Sequence, residues 1–349
     1  MRRFGNRYPV TVRIALDAMG GDHGPTEIVP AAVQALRDNP DLQLILVGRE
    51  AELRPLLAQH ASGHTGRVEI RDAPEVVEMH ESPSAALRIK KTSSMRVAID
   101  LVKEGAAQAC VSAGNTGALM AMARYVLKML PGVDRPAICT TMPGIHGQTH
   151  LLDLGANVIS DSEQLFQFAV MGSELTSAVN NVAAPSVALL NVGAEEIKGN
   201  DMVKQAAVLL SNSHLNYVGF VEGNDIYTGK VDVIVCDGFT GNIALKASEG
   251  VAEFISYHAK AEFEKSLYGR TAALISMPIL RAIRRKIDPR RYNGATLLGL
   301  RGIVVKSHGS ADRISFAHAI EEAIAEVQKN VPDRIAARLE TLLIPEPAP

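Results

Sequence analysis

The sequence predicts a layered α/β protein: a mostly parallel sheet with helices on both of its faces. Three observations carry that prediction. Short β-rich runs alternate with helical periods almost from end to end of the 349 residues, the rhythm of consecutive βαβ units. Several runs, such as LQLILV and VDVIV, are apolar at successive positions, as strands buried on both faces are. Hydrophobic residues make up 47% and aromatics only 4%, with no Trp, which is the make-up of an aliphatic layered core rather than of an aromatic-lined binding surface.

In chain order, strands are expected at 12–16, 42–47, 68–71, 109–112, 137–141, 151–154, 187–191, 217–221, 231–236 and 303–306. Helical periods fall at 26–37, 116–128, 163–179, 202–211 and 310–328. Residues 11–335 read as one unit. Its turn-rich segment 136–154, with Pro143, Gly144 and Gly147, is expected to act as a hinge between two lobes. The Pro-rich tail 344–349 is expected to be flexible.

Composition also excludes several classes. The formal net charge is −2, so no global field favours nucleic acid, and no nucleic-acid partner is expected. Cys110, Cys139 and Cys236 stand far apart without a Cys-x-x-Cys pair, which fits a reducing cytoplasm and no disulfide framework or zinc site. Arg13 and Asp17 interrupt the apolar stretch after the basic start, so no export signal is expected. The long uncharged stretches 105–123 and 175–194 carry Asn115, Thr116, Asn180 and Asn191. They read as strand–loop–helix rather than as membrane spans.

Four segments share one grammar, a strand, then Gly with small polar residues, then a helix start: LDAMGGDHGP, VSAGNTGALM, VCDGFTGNIAL and VKSHGSAD. A fifth, LLNVGAEEIKGN, adds a lysine. Open α/β sheets gather such loops at the carboxyl ends of their strands. Gly lets backbone N–H groups approach a ligand, and a helix N-terminus supplies partial positive charge. Together the loops describe an anion-binding cleft in which phosphate is the expected anion. Walker A, Gly-x-Gly-x-x-Gly and Gly-x-Ser-x-Gly patterns are absent. With no obvious nucleophile–base pair on offer, direct attack by bound phosphate on an electrophile fits best. No metal and no cofactor are expected.

DAMGGDHGP, SAGNTGALM, LLDLGAN, VALLNVGAEEIKGN, GFVEGNDI, VDVIVCDGFTGNIALK and KSHGSAD occur in order along nearly the whole chain. Together they closely resemble the phosphate acyltransferase (PlsX) family. The resemblance implies a three-layer α/β/α fold like that of isopropylmalate dehydrogenases and phosphotransacetylases, with two lobes around a cleft, in a homodimer. It implies transfer of a long acyl group from acyl carrier protein to inorganic phosphate, giving acyl phosphate for phospholipid synthesis. A glycerol-3-phosphate acyltransferase is then an expected partner downstream.

Such chemistry must hold phosphate, stabilise an oxyanion and release a thiolate. One oxyanion donor is typically worth ~3 kcal/mol, and positioning two substrates roughly 7–11 kcal/mol at the limit. With the resemblance in hand, Lys198 and Asn242 are the expected catalytic residues. Lys198 has an alternative, pairing with Glu195 or Glu196, and Asn242 has another, capping its helix. Expected phosphate and substrate contacts are Asp17, Gly20, Gly21, Asp22, Ser112, Gly114, Asn115, Thr116, Lys306, Ser307, His308 and Gly309. His308 reads as a binder, because phosphate attacking a thioester needs little base help. Cys236, ending an apolar strand, reads as a buried thiol rather than a nucleophile.

One stretch is strongly basic. Residues 268–293 hold Arg270, Arg281, Arg284, Arg285, Lys286, Arg290 and Arg291 against a single acid, Asp288. Leu280, Ile283 and Ile287 share a helical face. This tip is expected to meet carrier protein or an anionic membrane, placing the protein in the cytoplasm and at the membrane's inner face. A solvated basic helix is the alternative. Two other functions stay open on sequence: a short-chain phosphotransacetylase using acyl-CoA, and a non-catalytic carrier-binding scaffold.

Overall fold

A computed structural model describes residues 11–60, 63 and 65–343; the 344–349 tail lies outside the described residues. In its first half β1 (Val12–Asp17), α1 (Pro25–Asp38), β2 (Leu42–Gly48), α2 (Glu50–His60) and β3 (Val68–Asp72) alternate. Next come α3 (Pro83–Ile89), α4 (Ser94–Lys103), β4 (Ala109–Ser112), α5 (Thr116–Leu127), β5 (Ala137–Pro143) and β6 (Gln148–Leu152). The chain continues through α6 (Ser162–Asn180), β7 (Ser186–Leu190), α7 (Asp201–Ser211), β8 (Asn216–Val221), β9 (Val233–Val235) and the 27-residue α8 (Gly238–Glu264). It closes with α9 (Leu267–Ile287), β10 (Ala295–Leu298), β11 (Ile303–Lys306), α10 (Arg313–Lys329) and α11 (Val331–Leu343).

Helix starts are marked by side chains that accept an otherwise unpaired N–H, each worth about 1 kcal/mol. Asn115 caps α5, Asp237 caps α8 and Asp312 caps α10. Asp161 and Gln164 form a reciprocal capping box on α6.

All the strands join one sheet in the order β3-β2-β1-β4-β11-β10-β5-β6-β9-β7-β8. Its first five strands run parallel to one another, and so do its last four. Between them β10 is antiparallel to both neighbours, and β5 and β6 form an antiparallel hairpin. The turn-rich segment 136–154 is this hairpin, closed by the Gly144 N–H donating to the Gly147 carbonyl at 2.8 Å. The two parallel blocks therefore run in opposite directions. Four-residue β10 is absent from the sequence expectation, being short and next to the basic stretch.

Alternation along the strands produces the layers. Val12, Ile14 and Leu16 of β1 enter a core under α1 and α10, while Ala15 enters the core under α4 and α5. In β9, Val233 and Val235 face α6 and α11, and Ile234 joins the opposite core, where Ala244 and Leu245 of α8 also pack. One face of the sheet thus has a continuous core, and the other has one core per block. The three-layer α/β/α expectation holds.

The reversal corrects one expectation. The five Gly-rich loops do not share one edge of one parallel sheet. Those after β1, β4 and β11 gather at the carboxyl ends of the first block, and those after β7 and β9 at the carboxyl ends of the second.

Candidate active site

In the first block the geometry centres on Asp17, which is 1% exposed. The Ser112 hydroxyl donates to Asp17 Oδ2 at 2.6 Å and accepts the Gly114 N–H at 3.1 Å. Burial pushes the Asp17 carboxyl up, against the Ser112 bond and the nearby Lys306 charge. Its Oδ1 is buried without a hydrogen-bond partner. Gly20 is required here because a Cβ would lie 2.6 Å from Asp17 Oδ2 and 2.8 Å from the Gly114 nitrogen. Gly21 adopts φ +85° against the Gly309 carbonyl, and the Asp22 N–H donates to that same carbonyl at 2.8 Å.

Lys306 is 8% exposed. Its ammonium donates to the carbonyls of Ala113, at 3.3 Å, and Ser307. Burial pulls its pKa down to about 8 although Asp17 opposes the shift. Lys306 therefore supplies fixed positive charge beneath the loops rather than a mobile ligand. Asn115 is also committed internally: its Oδ1 accepts the Ala118 N–H at 2.9 Å, and its Nδ2 donates to the Met79 and Glu81 carbonyls. Thr116 follows as the first residue of α5.

Asn293, which sequence reasoning missed, organises the last loop. Its Nδ2 donates to Ser307 Oγ at 2.7 Å and its Oδ1 accepts the His308 N–H at 2.9 Å. His308 is held below its ordinary pKa, first by burial and next by Lys246, so the neutral ring is favoured.

The second block has its own buried carboxylate, Asp153. Oδ1 accepts the N–H groups of Ile138 and Ala156, and Oδ2 accepts both the backbone and the amide of Asn157. Burial raises its pKa against those four bonds. This loop seats α8: the Gly238 N–H donates to the Asn157 carbonyl at 2.8 Å, and a Cβ on Gly241 would lie 1.9 Å from the Asp153 carbonyl oxygen. Asn242 follows, exposed beside Gly155. Asp237 does the capping, its Oδ1 accepting the Thr240 N–H, so Asn242 is not the cap.

Lys198 projects from the loop after β7. Its ammonium lies 2.8 Å from Glu195 Oε2, which raises its pKa and keeps it cationic. Asn191 pins the loop by donating to the Gly193 and Lys198 carbonyls. Gly193 leaves the lysine room, since a Cβ there would meet Lys198 Cδ at 2.4 Å.

One helix links the two groups. Asn242 and Lys246 are four residues apart on α8, hence on one face with Cβ atoms roughly 6 Å apart. Lys246 Nζ in turn lies 3.5 Å from His308 Nε2. Lys246 went unrecognised in the sequence, although the i, i+4 spacing in GNIALK carries the signal.

Elsewhere, Cys236 is buried, its Sγ 3.7 Å from the Asp153 carbonyl, and burial holds the thiol protonated. Among the described residues no group of His, Cys, Asp and Glu is gathered as for a metal. Of the basic tip, Arg270, Arg281 and Lys286 are exposed. Arg290 instead pairs with Asp288 and Asp312 and is half-buried. The side chains of Arg284, Arg285 and Arg291 lie outside the described residues.

A family model for fatty acid synthesis proteins matches residues 12–334. A phosphate acyltransferase of Methylococcus capsulatus is 61% identical over 326 residues, 93% of this chain and 96% of that one. The chain belongs to the phosphate acyltransferase family. A phosphate acyltransferase of Alkalilimnicola ehrlichii, another member, is 59% identical across 97% of this chain and 99% of its own. Among solved structures, a phosphotransacetylase from Streptococcus pyogenes superposes with TM-score 0.59 at 18% identity, over 91% of this chain and 94% of that one. The EutD phosphotransacetylase from Staphylococcus aureus gives the same values. At that identity the likeness concerns the fold alone.

Proposed function

We propose that this chain transfers a long acyl group from an acyl carrier protein thioester to inorganic phosphate. A phosphate oxygen attacks the thioester carbonyl, the carbon–oxygen bond forms, and the tetrahedral oxyanion collapses with cleavage of the carbon–sulfur bond. The products are acyl phosphate and the free carrier thiol, the acyl phosphate going on to glycerol-3-phosphate acylation.

The observation that carries this reading is the helix face shared by Asn242 and Lys246, with Lys198 on a loop at the same end of the second block. Asn242 offers an amide donor to the thioester oxygen, where a preorganised hydrogen bond is worth most. Lys198 and Lys246 offer cations to phosphate, over the fixed charge of Lys306. No general base is required, because phosphate carries its own negative charge.

Partners follow from the far end of α8. Phe254, Ile255, Tyr257, Leu267, Tyr268 and Leu274 stand exposed there on α8 and α9, more apolar surface than a solvated helix pair leaves uncovered. A homodimer contact along these helices, with the Arg270 and Arg281 side turned to an anionic membrane, accounts for both patterns. No helix among the described residues is long and apolar enough to cross a membrane.

Hydroxylamine trapping tests the central reaction. Pure protein with phosphate and hexadecanoyl carrier thioester is expected to give hydroxamate, and acetyl-CoA far less. Efficient use of acetyl-CoA would instead make it a short-chain phosphotransacetylase, and no product from either donor would leave a carrier-binding scaffold.

A further inference from the structure

Six large apolar side chains stand exposed on the three segments that leave the carboxyl ends of β6, β7 and β9. Val158 and Ile159 follow β6, Val192 and Ile197 follow β7, and Phe239 and Ile243 open α8 after β9. Their exposure runs from 52% at Ile243 to 84% at Ile159 and Ile197. Strands β6, β9 and β7 are neighbours in the sheet and parallel, so the three loops rise side by side. Ile197 directly precedes Lys198, and Ile243 directly follows Asn242.

We propose that this apolar rim is the surface on which the acyl chain of the donor lies, and that it sets chain-length preference. The inference rests on the acyl transfer proposed above. A thioester carbonyl held by Asn242 fixes where its alkyl chain begins, and the chain must leave toward one side or the other. On the first block's side it would meet Asp22 and His308, exposed polar groups that an alkyl chain cannot satisfy. On the second block's side it meets isoleucine, valine and phenylalanine that are otherwise left in water. Covering both surfaces at once releases water from each, a gain proportional to the apolar area.

This rim is separate from the exposed patch farther along α8. Phe239 and Ile243 lie in the first two turns, whereas Phe254 and Tyr257 are more than ten residues on, roughly 15 Å or more along the axis at 1.5 Å per residue. An acetyl group would reach little of the rim, while a long chain can lie across all three loops. Affinity for long donors should therefore depend on residues that take no part in bond making.

The test is the ratio of kcat/KM for hexadecanoyl over butanoyl carrier thioester, measured for wild type, Ile159→Asn and Phe239→Ser. These substitutions sit on different segments, the loop after β6 and the first turn of α8, and both side chains are exposed, so both proteins should fold. The ratio is expected to fall by about tenfold in each, the equivalent of roughly two buried methylenes. A ratio unmoved in both variants overturns the proposal. Size-exclusion chromatography with light scattering separates the rival occupant: variants that lose a dimer while the ratio stays constant would assign the rim to a second copy. A wild-type protein that uses neither donor would overturn the transfer reaction and this surface with it, whereas an active wild type with an immovable ratio overturns the surface alone.

Discussion

Lys246 Nζ stands 3.5 Å from His308 Nε2, and this contact joins α8, seated on one block of the sheet, to the last loop of the other. The lysine is also paired with Glu249 at 2.7 Å, so its position is held from two sides. Lys246→Met is expected to raise the KM for phosphate about tenfold, the loss of one charge-assisted contact, with a smaller effect on the carrier substrate. It should also raise the pKa of His308, because the lysine charge is a cause of its depression. NMR titration of the imidazole reads the second effect.

Asn242 and Lys198 should separate kinetically. Asn242→Ala removes a donor needed most in the transition state, and kcat is expected to fall about 10²-fold with little change in KM. Lys198→Ala should act chiefly on phosphate KM, and Lys198→Arg should restore part of it. Steady-state kinetics with each substrate varied in turn distinguishes the patterns.

Two glycines of α8 should respond in opposite ways to the same added methyl group. A Cβ at Gly241 collides with the Asp153 carbonyl oxygen, whereas one at Gly250 meets nothing within 4 Å. Gly241→Ala is expected to destabilise by roughly 1–3 kcal/mol and to abolish most activity by lifting Asn242 from its seat. Gly250→Ala should stabilise by up to about 1 kcal/mol through helix propensity. Urea denaturation and an activity assay check the pair.

Stability should rise on the alkaline side through Lys306. Its folded pKa of about 8 lies below the ordinary 10.5. Between those values the unfolded chain retains a proton that the fold has released, so unfolding becomes harder as pH rises through this window. Below about pH 8 both states are protonated and the burial penalty is constant. Lys306→Met is expected to flatten this rise in a series of urea midpoints.

Glu322 predicts the reverse slope in acid. Burial lifts its pKa from 4.5 to about 7. The fold thus keeps a proton that the unfolded chain loses, and stability falls as pH climbs from about 4.5 to about 7. Glu326, one turn on and buried, has its carboxyl raised well above the usual range by burial and then by Glu322, and it accepts a hydrogen bond from Thr296. Glu322→Gln should remove much of the slope and stabilise at neutral pH by on the order of 1–3 kcal/mol. Chemical denaturation across that pH range measures it.

The architecture was legible because burial writes itself into sequence. The run VDVIV announces a strand covered on both faces, and Ile234 is indeed buried opposite Val233 and Val235. Strand direction was not legible: nothing in residues 137–152 says that β5 and β6 pair antiparallel and reverse the second block. Gly20, Asp17 and Ser112 could be grouped from their loops, since a strand end followed by Gly has few other uses. Asn293 could not, because its role depends on Ser307 and His308, which reach it only through the β10–β11 pairing. Asn115 looked like a free donor because sequence does not show the Met79 and Glu81 carbonyls that occupy it.

The reversed sheet also bears on how mutations combine. The core under α1 and α10 and the core under α6 and α11 share no residue, so mutations filling one need not be compensated in the other. Stability changes made under α1 and α10 should therefore add to those made under α6 and α11.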